Sequence, residues 1–318
     1  MMTAFLILIF HELVLGFLIL HSRFPNLSVW TGRLNAVLSA VLSHFLFLET
    51  DPVFRMTVLV TIPLLAMKVL VYAEYSREGK RLNTVQFLSF FLGTAGMRPK
   101  LFLSMDLRKF RFHSELLGKG IRGMILGSTV YFFSIYYIPE KIYLPKLMCA
   151  LVGISLFLHF GILNIQTGFW NCFDAKCNEL FVSPLKSVSL NEFWGKRWNL
   201  AFSEMTVLTV FRPLKKYMNP ETAEFCSFLV SGLLHEMAIS VPVQKGYGLP
   251  LLYFLIHGIL MQLEKKNSLV KWILSHRIGR HIWVISSLVL PVPILFHSDF
   301  AKEVVFRLPD LRKLMIWL

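Results

Sequence analysis

Long apolar runs are the feature that most restricts how this chain can fold. About 20 apolar residues of helix cross the hydrocarbon core of a bilayer, and runs close to that length recur along a sequence that is 55% hydrophobic. Charged residues make up 16% of the chain, compared with roughly 25% in soluble domains. The sequence therefore predicts an all-α, polytopic integral membrane protein.

Nine segments are candidate membrane spans. They are residues 4–20, 34–48, 56–73, 84–97, 121–138, 144–165, 222–240, 247–263 and 281–297. The fourth is short and contains Gly93 and Gly96, so it either crosses the membrane or re-enters on the same side. The first is expected to be a retained span and not a cleaved signal peptide, because it leads into further spans. We expect eight or nine transmembrane helices in one domain, residues 1–318, since no repeat or linker divides them.

The formal net charge of +14 lies mainly between the apolar segments. If all nine segments cross, the larger share of Lys and Arg falls on the side of the N-terminus, including the basic loops 98–122 and 265–280. Cytoplasmic loops carry such an excess, so that side is predicted to be cytoplasmic. Membrane lipids or an anionic substrate are the expected partners of these charges, and nucleic acid is not.

The cysteines and histidines do not form a metal-site pattern. Cys149, Cys172, Cys177 and Cys226 contain no CxxC pair, so neither a zinc site nor a disulfide framework is indicated. His235 and Glu236 begin an H-E-x-x-H pattern, but Ile239 occupies the position of the second histidine ligand. No metal site is therefore predicted.

The segment SLNEFWGKRWNLAF, from Ser189 to Phe202, combines aromatic and cationic residues in a way that neither a loop nor a span requires. Ser189 followed by Glu192 has the form of a capping box, and no proline interrupts the run before Pro213. Apolar residues then recur at spacings of three and four, at Leu190, Trp194, Trp198, Phe202 and Met205. This pattern predicts one amphipathic helix at the cytoplasmic interface, with its tryptophans at headgroup level.

His235 lies well inside the apolar segment 222–240. Ionisable groups at such depth are costly and usually face a cavity or a polar partner. A neutral imidazole in an apolar pocket can accept a proton from a hydroxyl, which suits a general base. The alternative is a structural histidine that is hydrogen-bonded to a neighbouring helix.

FWGKRWN (residues 193–199), followed 36 positions after Asn199 by His235 in an apolar helix, resembles the signature of the membrane-bound O-acyltransferases. EFWGKRWN together with FLVSGLLHE is most similar to the wax synthase branch, which includes plant long-chain-alcohol and sterol acyltransferases. The acyltransferases that make triacylglycerol have a related F-Y-x-D-W-W-N segment. This chain keeps its Phe193, Trp198 and Asn199, but has Trp194, Lys196 and Arg197 where Tyr, Asp and Trp would stand.

The resemblance implies a catalytic motif region at about 189–240 and a transfer of a fatty acyl group from acyl-CoA to a long-chain alcohol. His235 would be the base that activates the alcohol, and Asn199 would position the thioester or donate a hydrogen bond to the developing oxyanion. Acyl-CoA would be a co-substrate, with no metal or redox cofactor. Such a multi-pass enzyme is expected in the endoplasmic reticulum membrane of a eukaryote or the plasma membrane of a bacterium.

Seven further residues are predicted to bind substrate, namely Phe193, Trp194, Lys196, Arg197, Trp198, Ser231 and Gly232. The two cations either bind CoA phosphates or contact lipid headgroups, and the tryptophans either line the acyl channel or anchor the segment in the membrane. Gly232, on the face of His235, leaves room for a substrate chain or for a close helix. The serine has the alternative role of stabilising its helix.

Other acceptors and another class of function remain open at this point. A sterol, another terpenoid alcohol, or a protein or glycan hydroxyl could replace the long-chain alcohol. Outside the enzymes, a transporter or channel could use His235 in its pathway. Transporters more often show repeated halves or paired broken helices, and the sequence contains no such symmetry.

Overall fold

Helices provide all the regular secondary structure in the computed structural model, which describes residues 1–93 and 96–308. The longer helices of the first half are α1 (Met2–His21), α2 (Pro25–Leu46), α3 (Pro52–Arg77), α4 (Thr84–Leu92), α5 (Ser114–Tyr137), α6 (Tyr143–Ser155) and α7 (Leu163–Asn171). A π-helical segment, Leu156–Ile162, joins α6 to α7. A 3₁₀ turn, Pro99–Phe102, follows α4. The predicted all-α fold is confirmed for the described part of the chain.

The second half contains α8 (Leu190–Glu192), α9 (Leu200–Thr206), α10 (Arg212–Leu214), α11 (Pro220–Val243), α12 (Leu249–Lys266), α13 (Ser268–Ser275), α14 (Arg277–Val289), α15 (Val292–Leu295) and α16 (Ser298–Glu303). Two π-helical segments, Phe193–Arg197 and Val207–Phe211, lie between α8 and α10. Short 3₁₀ turns cover Pro184–Lys186 and Val305–Arg307. Contacts divide the chain into two compact units, residues 1–179 with 302–308, and residues 180–301.

Five helical stretches are long and apolar enough to cross a membrane. They are Met2–His21, Pro52–Arg77, Tyr143–Asn171, Pro220–Val243 and Arg277–Leu295, and they coincide with five of the nine predicted spans. The other predicted spans fall on α2, α4, α5 and α12. Of these, α4 has nine residues, too few for a crossing of about 20. This length favours re-entry of segment 84–97, of which residues 94 and 95 lie outside the described residues.

Helix α3 is the most buried span of the first unit and carries a buried lysine. The Lys68 Nζ donates to the backbone carbonyls of Phe90 at 2.7 Å, Gly93 at 2.5 Å and Gly96 at 3.2 Å. Carbonyls at the end of a helix lack partners within it, and α4 ends at Leu92. Lys68, which is 1% exposed, therefore fixes the end of α4, together with Gly93 and Gly96, against α3.

Helices α1 and α2 of the first unit are joined by a second buried polar network. The carboxylate of Glu12 accepts a hydrogen bond from Asn35 Nδ2 at 2.7 Å and another from the hydroxyl of Ser39. Glu12 is fully buried, so these two donors replace the water that its oxygens would otherwise bind. Polar side chains of this kind hold membrane helices together.

Close helix packing in the first unit depends on glycine. A Cβ added at Gly123 would lie 2.5 Å from the Phe160 carbonyl oxygen, and one added at Gly120 would lie 2.9 Å from the carbonyl oxygen of Gly161. Only glycine therefore allows α5 to contact the backbone of the π-helical segment after α6. Small residues at such contacts are typical of membrane helix pairs.

In the second unit, α11 and α12 pack along each other as an antiparallel pair. Gly232 lies at their contact, because a Cβ there would be 2.7 Å from Leu251 Cδ1 and 3.1 Å from Leu251 Cα. The turn between the helices contains Gln244, Gly246 and Gly248 at positive φ, which shortens the connection. This pair is the framework on which the segment 189–211 lies.

The prediction of one continuous amphipathic helix over residues 190–211 is wrong. The segment is helical from Leu190 to Arg197, extended at Trp198 (φ −110°, ψ 124°), and left-handed at Asn199 (φ 43°) before α9 begins. The side chains of Leu190 and Met205 are buried, at 0% and 3% exposure. The apolar stripe that indicated an interfacial helix instead packs inside the second unit.

Candidate active site

Two side-chain caps shape the segment that carries the motif. The Ser189 hydroxyl accepts a hydrogen bond from the Glu192 N–H at 3.0 Å, as the capping pattern predicts. The Glu192 side chain accepts from the Val188 N–H at 2.9 Å and not from the Ser189 N–H as a complete capping box requires, so only the serine half of the predicted box forms. After the break at Trp198, Asn199 Oδ1 accepts from the Phe202 N–H at 3.2 Å and so begins α9. Asparagine suits this position because it tolerates the left-handed region better than most residues.

The side chain of Arg197 stabilises this segment through an ion pair and a hydrogen bond. Its Nη2 lies 2.7 Å from Glu192 Oε1, and its Nη1 donates to the Val182 carbonyl at 3.2 Å. The Val188 N–H, and after it the Arg197 guanidinium, lower the pKa of the Glu192 carboxyl from its ordinary value. Lys196 is exposed and makes no hydrogen bond or ion pair within residues 1–93 and 96–308. The two neighbouring cations therefore have different surroundings.

A cavity of about 240 Å³ lies between this segment and the α11–α12 pair. One face of α11 lines it, through Glu224, Ser227, Phe228, Ser231 and His235. The spacing of three and four puts these residues on a single helix stripe. Aromatic rings form much of the remaining wall, from Trp194, Trp198, Phe202, Phe211 and Phe254. The cavity is thus mainly apolar, with a few polar groups, as ligand sites usually are.

His235 lies at this cavity, and one of its two ring nitrogens is already hydrogen-bonded. Its Nδ1 is 2.7 Å from the Ser231 carbonyl oxygen, and a carbonyl oxygen can only accept, so Nδ1 carries the hydrogen. In the neutral imidazole, Nε2 is then the acceptor. The ring lies between Phe254, with centroids 4.2 Å apart, and Phe202, with centroids 5.7 Å apart. This arrangement fixes both the tautomer and the orientation that a general base requires.

Asn199 lines the same cavity as His235, although 36 positions separate them. Its Oδ1 is used by the Phe202 N–H, which leaves the side-chain NH₂ as a hydrogen-bond donor. That NH₂ makes no hydrogen bond within the described part of the chain. The cavity therefore combines a proton acceptor with a donor, the two groups that attack on a carbonyl carbon needs.

The other predicted site residues divide into two groups. Trp194, Trp198 and Ser231 line the cavity, and the hydroxyl of Ser231 also donates to the Ser227 carbonyl at 2.8 Å. Phe193 stacks on Trp198 with centroids 5.3 Å apart and supports the wall from behind. Gly232 faces the neighbouring helix at Leu251, while Lys196 and Arg197 lie outside the lining.

Several lining residues were not predicted from the sequence. Phe254 contacts His235 from α12, and nothing in the sequence around it indicates that role. Glu224 could have been found, because it lies eleven positions before His235, close to three helical turns. Its carboxylate is bound by Lys265 Nζ at 2.5 Å and Gln262 Nε2 at 2.8 Å. The indole N–H of Trp194 is buried and has no partner among the described residues.

Comparison with known families identifies the segment around this cavity. Residues 177–256 match the model of the Membrane bound O-acyl transferase family, and the matched stretch contains both Asn199 and His235. The resemblance predicted from the two motifs is therefore confirmed for residues 177–256, which are similar to this family. Together with the five apolar helices, this match identifies an integral membrane protein.

The matches to individual relatives cover only part of each relative's length. A protein named "Probable long-chain-alcohol O-fatty-acyltransferase 6" from Arabidopsis thaliana is 31% identical over 116 residues, 33% of this chain and 34% of the relative. "Putative long-chain-alcohol O-fatty-acyltransferase 10" from the same plant is 28% identical over 177 residues, 51% and 52% of the two chains. "Long-chain-alcohol O-fatty-acyltransferase" from Simmondsia chinensis is 30% identical over 97 residues, 26% of each. The chain thus matches about half or less of each relative.

Proposed function

We propose that this chain, with its membrane bound O-acyl transferase segment, transfers a fatty acyl group from acyl-CoA to the hydroxyl of a long-chain alcohol. The product would be a wax ester. The observation that carries the proposal is the cavity that Asn199 and His235 share, in which His235 presents an unprotonated Nε2. The names of the relatives support the class of acceptor.

In the proposed reaction, His235 Nε2 accepts the hydroxyl proton while the alcohol oxygen attacks the thioester carbonyl carbon. The oxyanion that forms accepts a hydrogen bond from the NH₂ of Asn199, an interaction that can change the rate by ~100-fold or more. Collapse of this intermediate breaks the carbon–sulfur bond. The leaving thiolate then takes the proton from Nε2, which leaves ester, free thiol and neutral histidine.

The dimensions and lining of the cavity support an acyl-CoA donor. Along α11, eleven residues separate Glu224 from His235, which is about 16 Å of helix. A linear thioester-bearing arm of that length could extend from a polar end near Glu224 and Lys265 to the base. The aromatic walls suit an acyl chain, because burying its methylene groups is favourable by about 0.8 kcal/mol each. No metal or redox cofactor takes part in this chemistry.

The second substrate enters from the membrane in this proposal. A long-chain alcohol dissolves in the bilayer, whereas CoA is soluble, so the reaction belongs at a cytoplasmic membrane face. The endoplasmic reticulum of a eukaryotic host, or the plasma membrane of a bacterial one, offers both substrates. Lys196, which is exposed and unpaired in the described structure, is the cation of the motif best able to contact an anionic headgroup.

The proposal is tested with purified protein in lipid nanodiscs, supplied with acyl-CoA and with fatty alcohols, sterols or diacylglycerol in parallel. Product masses identify the ester formed, and His235→Ala and Asn199→Ala serve as inactive controls. A wax ester that depends on both residues supports the proposal. A sterol ester would change the acceptor. Absence of acyl-CoA consumption, combined with solute movement across proteoliposomes, would replace the enzyme with a transporter.

A further inference from the structure

Glu264, on α12, has three N–H groups directed at its carboxylate. Oε1 accepts from the Leu190 N–H at 2.7 Å and from the Trp283 indole N–H at 2.9 Å. Oε2 accepts from the Asn191 N–H at 3.3 Å. Glu264 is 8% exposed, and a carboxylate so deeply buried needs such donors in place of water.

Two of those donors open the segment that carries the site. Leu190 and Asn191 are the first residues of α8, and N–H groups at a helix start have no partner within the helix. The Ser189 hydroxyl accepts from the N–H of Glu192. Glu264 accepts from the N–H groups of Leu190 and Asn191, which lie 74 and 73 positions earlier in the chain. Glu264 therefore anchors the beginning of the motif to α12.

The same helix α12 also carries the ring that faces the base. Phe254 lies 4.2 Å from His235, measured between ring centroids, and 5.8 Å from Trp194. Trp194 lies four residues after Leu190, on the same side of the helical turn. Anchoring Leu190 at Glu264 thus fixes Trp194 against Phe254, and Phe254 against His235.

Other hydrogen bonds maintain the shape of the segment but do not attach it to α12. Arg197 binds Glu192 within the segment. The Ser203 hydroxyl donates to the Trp194 carbonyl at 2.7 Å. Arg197 also binds Val182, donating from its guanidinium to the Val182 carbonyl and accepting at its own carbonyl from the Val182 N–H. None of these bonds reaches α12, whereas the Glu264 contacts set the position of the segment relative to that helix.

We infer that Glu264 is a positioning residue, which holds the Asn199-bearing segment in register with His235 through the N–H groups of Leu190 and Asn191. The kinetic consequence of this role rests on the proposed function. Its structural part, the docking of residues 190–199 on α12, does not depend on which reaction the site performs.

The test compares Glu264→Ala and Glu264→Gln with the native protein in nanodiscs, using hydrogen exchange by mass spectrometry and steady-state ester formation. Glu264→Ala should speed exchange in peptides covering 189–199 by about 5-fold or more, since lost hydrogen bonds free those amides. It should lower kcat by about 10- to 100-fold, because small displacements of reacting groups cost that much. KM for acyl-CoA should change by less than about 3-fold.

Three comparisons make the result specific. Glu264→Gln keeps a carbonyl oxygen for the Leu190 N–H and should recover much of both losses. Trp283→Phe removes one donor but leaves both backbone contacts, so its effect should be smaller than that of Glu264→Ala. Glu12→Gln changes a carboxylate buried in the first unit and should leave exchange at 189–199 and kcat unchanged.

Unchanged exchange at 189–199 in Glu264→Ala would overturn the docking. Faster exchange with an unchanged kcat would overturn the positioning role. A fall in kcat that Glu12→Gln reproduces would show general destabilisation and would also overturn it. If the native protein forms no ester with any alcohol, the proposed function fails, while the exchange measurement still decides whether Glu264 anchors the segment.

Discussion

Two buried polar side chains of the first unit, Lys68 and Glu12, differ from His235 of the second unit in how fully they are hydrogen-bonded. Lys68 donates to three carbonyls, and both carboxylate oxygens of Glu12 accept from side chains. His235 uses Nδ1 alone and leaves Nε2 at the edge of a cavity. Saturated groups hold helices together, whereas a group with one free position can react. We therefore expect a change at His235 to affect mainly activity and a change at Lys68 to affect mainly stability.

The largest expected effect is on activity. His235→Ala should lower ester formation by about 10²- to 10⁴-fold, because general acid–base groups contribute that much. Thermal unfolding should change little, since the ring lies at a cavity and makes one side-chain hydrogen bond. Product mass spectrometry and a melting curve measure the two. His44→Ala, on α2 of the first unit, is the matched control and should retain activity. Activity retained in His235→Ala would contradict the comparison.

Lys68→Met should show the opposite behaviour. The change removes three hydrogen bonds and leaves the carbonyls of Phe90, Gly93 and Gly96 without this donor. Each buried group left unsatisfied costs about 1–3 kcal/mol, so the free energy of unfolding should fall by about 3 kcal/mol or more. Thermal unfolding in a mild detergent measures this loss. An unchanged melting temperature would show that the end of α4 does not depend on Lys68.

Asn199 combines a structural role, as the cap of α9, with a proposed role in the reaction. Asn199→Asp keeps an oxygen for the Phe202 N–H and tolerates the left-handed backbone, but it has no N–H to donate to an oxyanion. It should lower kcat by about 100-fold with little loss of stability. Asn199→Gly keeps the left-handed backbone conformation and removes the whole side-chain amide. If Asn199→Asp were as active as the native protein, the residue would be a helix cap alone.

The smallest expected effect is on the dependence of stability on pH. The pKa of Glu192 is lowered from its ordinary value of 4.5 by the Val188 N–H and then by Arg197. Its contribution to stability is therefore complete above pH 4.5 and is lost as the pH falls through the lowered pKa. Because the pair is about one-fifth exposed, we expect less than about 1 kcal/mol.

Melting temperatures of the native protein and Glu192→Gln, followed from pH 7 down to pH 3, isolate this contribution. The difference between the two should shrink as the pH falls and disappear once the carboxyl is protonated. A difference that stays constant over this range would mean that the charge of Glu192 does not stabilise the segment. Arg197→Lys offers a control that keeps the charge but loses the several directed N–H groups.

Local sequence patterns predicted much of the fold. Five of the predicted spans coincide with helices that are long and apolar enough to cross a membrane, and the spacing of Ser189 from Glu192 predicted the Ser189 cap. The break at Asn199 was not predicted, because no proline or glycine marks it. Its left-handed conformation depends on contacts that local preferences do not express. The same holds for the nine-residue length of α4, whose end depends on Lys68.

The sequence motifs predicted the two central residues of the site but not its geometry or its full lining. The two motifs named Asn199 and His235, yet nothing in their spacing could show that both line one cavity. Glu264 was missed for the same reason, since its partners lie more than 70 positions earlier. The sequence assigned Lys196 and Arg197 the same two alternative roles. In the structure Arg197 binds Glu192 and the Val182 carbonyl, whereas Lys196 is exposed.

The hydrogen bond between His235 Nδ1 and the Ser231 carbonyl has a consequence for proton balance. Because Nδ1 is already occupied, a proton that the ring gains at Nε2 must also depart from Nε2. In the proposed reaction the thiolate is released beside that nitrogen and is the base that receives it. One turnover would then return the imidazole to its starting form without a proton-conducting path to either side of the membrane.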